Sequence, residues 1–274
     1  MNPSAFGAAA IALYLAATAL LVRSLRSDFI TAPKTAPSQK FPAMALGWTG
    51  ALLHFASVSD MCDRAGNVDF NFFTTSSLAA FSIVIVLLLS SLARPVDKLG
   101  IVIFPVASLL ILLEINLHEP AHVLKNYSWQ MTVHILVSML SYSFLNIAAL
   151  QALLVAVQDW NLHNRHPTGF IRSLPPLQTM EKLLFQLIAA GFVLLSVSLL
   201  TGLLFVEDLF AQHLVHKTAL SILAWLVFGI LLIGRTWWGW RGQIAIRWTL
   251  GGFVSLMLAY FGSKLVLELI LNRS

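Results

Sequence analysis

Long apolar runs alternate with short polar connections along the whole chain. A bilayer core about 30 Å thick requires about 20 apolar residues in helical form. Backbone groups must be paired within lipid, so helices are the only economical structure for such runs. We therefore predict an all-α, polytopic membrane helix bundle that forms a single integral membrane domain over residues 1–274. The eight predicted spans are residues 5–23, 43–59, 75–93, 99–117, 130–157, 183–205, 217–234 and 246–271.

The polar connections predict the orientation of the bundle. The first run, "MNPSAFGAAAIALYLAATALLV", has no positively charged segment ahead of it, which indicates a retained span rather than a cleaved signal peptide. If the N-terminus lies outside, most of the 17 lysines and arginines fall on the inner connections. Because basic residues favour the cytoplasmic side, we predict a multi-pass protein of the cytoplasmic (inner) membrane with both termini outside.

Composition supports a membrane class and excludes several others. The chain is 58% hydrophobic and 11% charged, with mean hydropathy +0.81, whereas soluble domains have about 25% charged residues. The net charge of +5 does not predict nucleic-acid binding, because the basic residues are scattered between apolar runs. The one cysteine, Cys62, excludes an internal disulfide. No nucleophile–base constellation or phosphate-binding loop is evident, so we predict that the protein is not an enzyme.

Six of the eight histidines fall on the predicted outer side, and two of these lie inside spans. His54 is near the outer end of the second span and His134 near the start of the fifth, so both rings should lie roughly 6–8 Å below the outer boundary. Imidazoles inside a span suggest a functional site, and two at matching depth suit axial ligation of haem iron. Interhelical hydrogen bonding is the alternative role for the same pair.

The other outer histidines lie in loops or at a helix start. His118 and His122 precede the fifth span, and His216 with Lys217 begins the seventh. Zinc is a weaker alternative to haem, because Pro120 disfavours a regular helix between His118 and His122. Aromatic residues near the outer boundary could wall a porphyrin or form an interfacial belt. Lys217 could meet a haem propionate.

Four stretches carry a family resemblance: "VHILVSMLSYSFLNIAALQALL" (133–154), "PPLQTMEKLLFQLIAAGFVLLSVSLLTGLLF" (175–205), "HKTALSILAWLVFGILLIGR" (216–235) and "LAYFGSKLV" (258–266). The chain resembles the HemX-like branch of the cytochrome c assembly family, which includes CcsA and CcmC and whose members handle haem at the outer leaflet. The resemblance implies haem b as cofactor, with His134 and His54 matching the histidines of the fifth and second spans. It also implies outer ligands at His216 and at either His122 or His118.

One departure from the family limits what the resemblance implies. Members that deliver haem carry a tryptophan-rich outer segment ending in aspartate, and "FVEDLFAQHLVHK" (205–217) contains no tryptophan. We therefore expect a haem-binding protein of cytochrome c assembly or haem trafficking, with other maturation proteins as partners, without predicting active delivery. The alternatives are a scaffold or regulator of haem biosynthesis that binds no haem, and a proton-coupled small-molecule transporter.

Overall fold

The regular secondary structure of the protein is helical, as predicted. The computed structural model describes residues 3–30, 40–65, 72–117, 129–164, 174–205 and 212–262, and no strand occurs within them. The helices are α1 (Pro3–Ile30), α2 (Lys40–Ala65), α3 (Phe72–Ala93), α4 (Gly100–Asn116), α5 (Trp129–His163), α6 (Leu177–Phe205), α7 (Gln212–Trp237) and α8 (Gln243–Met257). A 3₁₀ turn at Asp97–Leu99 leads into α4, and a π turn at Leu258–Gly262 follows α8.

Seven of these helices are long and apolar enough to cross a membrane. They confirm the first seven predicted spans, and the apolar helices extend furthest beyond the predicted bounds at α5 and α6. Helix α5 continues to His163, and α6 already begins at Leu177 within the polar stretch "LQTMEK", because a helix need not end where its apolar section ends. The eighth predicted span, 246–271, is helical in its first part, and residues 263–274 lie outside the described residues.

The chain forms two compact units. The first comprises Met1–Asn126 with His166–Pro175 and contains α1 to α4. The second comprises Tyr127–Arg165 with Pro176–Ser274 and contains α5 to α8. The expectation of one integral domain over the whole chain stays a prediction.

The first unit is packed around two stacked aromatic rings. Tyr14 of α1 and Phe104 of α4 are fully buried, and their ring centroids are 5.4 Å apart in nearly parallel planes. Helix α2 approaches both rings through glycines, since a Cβ atom at Gly50 would lie 2.9 Å from the Tyr14 ring and one at Gly47 would lie 2.9 Å from Phe104. Small residues of this kind allow membrane helices to pack closely.

In the second unit, α5 and α6 also pack closely at a glycine. The Ser141 hydroxyl donates to the backbone carbonyl of Gly191 at 3.0 Å. A Cβ atom at Gly191 would meet the Leu145 side chain at 2.6 Å, so the α6 backbone lies directly against α5. At the opposite end of α5 from residue 134, the N–H of Gly242 donates to Glu181 Oε1 at 2.7 Å and fixes the start of α8 on α6.

Candidate functional site

His54 lies on α2 inside the first unit and is completely buried. Its Nε2 atom is 3.0 Å from the Ser77 hydroxyl oxygen on α3, and its Nδ1 atom is 3.4 Å from the Tyr14 hydroxyl oxygen on α1. The Phe81 ring packs edge-on against it, with centroids 5.4 Å apart. Both ring nitrogens therefore have hydrogen-bond partners on neighbouring helices, which matches the packing role that the sequence left open for His54.

Glu114 of α4 extends this group of polar side chains. A side-chain hydrogen bond joins it to Ser77, and it is only 4% exposed. Its Oε1 atom has no hydrogen-bond partner among the described residues. Tyr14, His54, Ser77 and Glu114 thus form a chain of polar groups that connects all four helices of the first unit.

The sequence reasoning did not select Ser77 or Glu114 as site residues. Glu114 lies within the apolar stretch "LLILLEINL". An ionisable residue in a span is expensive and commonly marks a functional position. That signal was present in the sequence and could have identified Glu114. Ser77 offered no comparable signal, because serines are frequent in these spans.

His134 lies near the start of α5 in the second unit and is partly exposed. Its Nδ1 atom is 3.0 Å from the Thr201 hydroxyl oxygen near the end of α6. The ring also lies directly against the backbone of α6, since a Cβ atom at Gly202 would be 3.1 Å from His134 Cε1. Ser138, one turn further along α5, donates to the His134 carbonyl at 2.6 Å and pairs with the Ser198 hydroxyl at 2.7 Å.

The α6 residues that hold His134 share one helix face. Ser198, Thr201 and Gly202 have the spacing i, i+3 and i+4, which places them side by side on an α-helix. Sequence reasoning missed this set. Small and hydroxyl-bearing residues at helical spacing within a span are the signal that could have found it, because such residues line helix–helix contacts in membranes.

The remaining predicted ligands are placed less fully. His118 and His122 lie outside the described residues, and His216 lies in the second turn of α7 without a described side chain. Lys217, next to it, is partly exposed and already has an interaction partner. Within the described part of the chain, no group of three or more His, Cys, Asp or Glu side chains could hold a metal ion, so the zinc alternative gains no support there.

His54 and His134 belong to different compact units. Each has a defined set of partners within its own unit, and these partners differ. His54 is enclosed and has hydrogen bonds at both nitrogens, whereas His134 is partly exposed and is held through Nδ1. Coordination of one iron atom by both imidazoles stays a prediction.

Sequence comparison decides the family. The sequence model of the family described as "Cytochrome C assembly protein" matches residues 39–271, which is most of the chain. The chain belongs to the cytochrome c assembly protein family. This result confirms the predicted resemblance to the cytochrome c assembly family, whereas the assignment to the HemX-like branch stays a prediction. The family match also extends over α2 to α4, which contain His54 but none of the four quoted stretches.

Three relatives show how far the similarity reaches. The inner membrane protein YpjD of Escherichia coli K12 is 43% identical over 140 residues, which cover 51% of this chain and 53% of YpjD. An uncharacterised 28.8 kDa protein of Azospirillum brasilense is 34% identical over 142 residues, covering 51% of this chain and 52% of the relative. The cytochrome c biogenesis protein CcsA of Gloeothece citriformis is 25% identical over 114 residues, covering 41% of this chain and 35% of CcsA.

Each match covers only part of the relative. The chain spans about half the length of the first two relatives and about a third of CcsA. No solved structure matches the chain. Together with the seven apolar helices, the similarity to a protein named for the inner membrane confirms the predicted multi-pass inner membrane location.

Proposed function

We propose that this member of the cytochrome c assembly family binds haem b at the outer side of the inner membrane and acts in cytochrome c assembly or haem trafficking. Family membership supports a role in cytochrome c biogenesis. The observation that carries the haem proposal is the arrangement of His134, a partly exposed imidazole inside a span that is hydrogen-bonded at Nδ1. The protein is proposed to bind haem rather than to transform it.

The surroundings of His134 fit an axial ligand of haem iron. When bound, haem supplies an iron atom that accepts an imidazole lone pair. Histidines that ligate metals commonly donate their second ring N–H to a nearby acceptor, which fixes the orientation of the ring. The Thr201 hydroxyl oxygen lies 3.0 Å from Nδ1. If it accepts from Nδ1–H, Nε2 is the nitrogen that His134 would offer to iron.

His54 fits the same role only with a change in its hydrogen bonds. Ser77 faces its Nε2 atom and Tyr14 faces its Nδ1 atom, so ligation requires that one of these two bonds be given up. His54 therefore remains the candidate second ligand. His216, His122 and His118 are the outer alternatives, and Lys217 is proposed to meet a propionate.

Haem titration of purified variants tests the proposal. We expect His134→Ala to lower haem affinity by more than the roughly 10- to 100-fold that follows loss of a supporting group around a ligand. His163→Ala is the matched control, because His163 is an exposed histidine at the other end of α5. Equal haem affinity in the wild type, His134→Ala and His163→Ala proteins would contradict the proposal for His134.

The His54→Ala variant distinguishes the two ligand candidates. If His54 supplies the second ligand, this variant should retain haem with an altered absorption spectrum. An unchanged spectrum would restrict His54 to its packing role and leave the outer histidines as candidates. A wild-type protein that takes up no haem would instead support the scaffold or regulator function.

A further inference from the structure

We propose that Thr201 is the positioning residue of the His134 site, setting the imidazole tautomer so that Nε2 carries the lone pair offered to haem iron. This inference rests on the proposed function where it concerns haem. The part that concerns the tautomer can be measured in the haem-free protein.

The Thr201 hydroxyl has a single proton to donate. Thr201 Oγ1 lies 3.0 Å from the backbone carbonyl oxygen of Val197 and 3.0 Å from that of Ser198. Carbonyl oxygens can only accept, so the hydroxyl proton is directed at the α6 backbone. The hydroxyl oxygen is then left as an acceptor for any further partner.

The His134 imidazole contacts this hydroxyl oxygen. Its Nδ1 atom lies 3.0 Å from Thr201 Oγ1, and a hydroxyl that has committed its proton elsewhere can only accept at this contact. With the Thr201 proton on the α6 backbone, Nδ1 carries the hydrogen. A neutral imidazole has one N–H, so Nε2 is unprotonated and holds its lone pair in the ring plane.

The position of the His134 ring depends on close packing between α5 and α6. The absence of a Cβ atom at Gly202 lets the imidazole lie against α6, since that atom would be 3.1 Å from Cε1. The Ser138–Ser198 hydrogen bond of 2.7 Å joins α5 and α6 one turn away and keeps the two helix faces in register. Thr201 is thus one residue of a short α6 segment that fixes both the tautomer and the location of His134.

Nitrogen NMR on histidine-labelled, haem-free protein tests the tautomer directly. The His134 signals are assigned by their loss in His134→Gln, and measured where the imidazole is neutral. We expect the Nδ1–H form in the wild type, and a shift toward the Nε2–H form in Thr201→Val, which keeps the side-chain shape but removes the hydroxyl. Thr201→Ser restores the hydroxyl and should restore the wild-type signals.

Thr236→Val is the matched control within the second unit. The Thr236 hydroxyl also donates to its own helix, at 2.9 Å to the carbonyl of Ile233, but it is exposed and lies at the other end of the unit's membrane-spanning helices. We expect Thr201→Val to lower haem affinity about 10- to 100-fold, whereas Thr201→Ser and Thr236→Val should leave it unchanged.

The outcomes separate this inference from the proposed function. An Nε2–H tautomer in the wild type, or a tautomer that is the same in Thr201→Val, would overturn the role of Thr201. A wild-type protein that shows the Nδ1–H form and the Thr201→Val shift but binds no haem would overturn the haem function, while supporting Thr201 as the residue that sets the tautomer. Equal haem affinity in Thr201→Val and the wild type would overturn the link between that tautomer and haem.

Discussion

The Nε2 atom of His54 lies 3.0 Å from the Ser77 hydroxyl oxygen in the interior of the first unit. This contact joins α2 to α3, and Ser77 continues it to Glu114 on α4. A buried polar atom that loses its partner destabilises the folded state, because water cannot replace the lost hydrogen bond. The pair therefore contributes to the stability of the first unit whether or not His54 ever binds iron.

Substitution of Ser77 should lower stability. Ser77→Ala leaves the buried imidazole of His54 and the Glu114 carboxyl group each without this hydroxyl, and we expect a loss of about 1 kcal/mol in the free energy of unfolding. Thermal unfolding of the purified protein in detergent measures the effect. Ser82→Ala is the control on the same helix, because the Ser82 hydroxyl donates only to its own backbone, at 3.0 Å to Leu78. Equal destabilisation by both variants would show that the interhelical contact contributes nothing.

A methyl group at Gly202 should displace His134. In Gly202→Ala the new Cβ atom would lie 3.1 Å from Cε1 of the imidazole, so the ring must shift by a few tenths of an ångström. We expect weaker haem binding with little change in helix content, measured by haem titration and circular dichroism. Gly251→Ala is the control, since a Cβ atom there meets no atom within 4 Å. The same haem affinity in both variants would be inconsistent with a ligand role for His134.

The turn before α8 should tolerate no side chain at Gly242. Its φ of +58° lies in the region that side-chain-bearing residues rarely adopt, and its N–H donates to Glu181. Gly242→Ala should destabilise the second unit by about 1–3 kcal/mol. Glu181→Gln keeps an acceptor oxygen and should have a much smaller effect than Glu181→Ala in the same unfolding assay. If Glu181→Ala is as stable as the wild type, the hydrogen bond does not hold this turn.

The lone cysteine allows a test of the predicted orientation. Cys62 follows the second span and is expected at the outer side of the membrane. A membrane-impermeant thiol reagent added to spheroplasts should label the wild type and not Cys62→Ser. In the Cys62→Ser background, Asn164→Cys introduces a thiol at an exposed position directly after α5. This end of α5 is predicted to lie inside, so the thiol should be labelled only after the membrane is permeabilised. Labelling of Asn164→Cys in intact spheroplasts would show that the orientation is opposite to the predicted one.

The helices were predictable because the length and apolar content of each run are local properties of the sequence. The ends of the helices were harder to predict. The first turns of α6 contain Gln178, Glu181 and Lys182 and still form helix outside the apolar section. Apolar content marks what can reside in lipid, whereas helix formation depends on local backbone preferences that continue into water.

The site residues divide in the same way. His54 and His134 stood out because an imidazole is rare within a span, and the structure places both on the predicted helices. Their partners Ser77 and Thr201 did not stand out in the sequence, because each lies far along the chain from the histidine that it contacts. A serine or threonine inside a span also commonly forms hydrogen bonds only with its own helix. Which hydroxyl faces which imidazole is decided by helix packing.

The most direct test of the central claim is the absorption spectrum of the wild-type protein purified from membranes without added haem, compared with that of His134→Ala prepared in the same way. We predict a Soret band in the wild type that is lost or strongly reduced in His134→Ala and unchanged in His163→Ala. A wild-type protein that is colourless and stays so after haem is supplied, or a His134→Ala protein with the full wild-type spectrum, would contradict it.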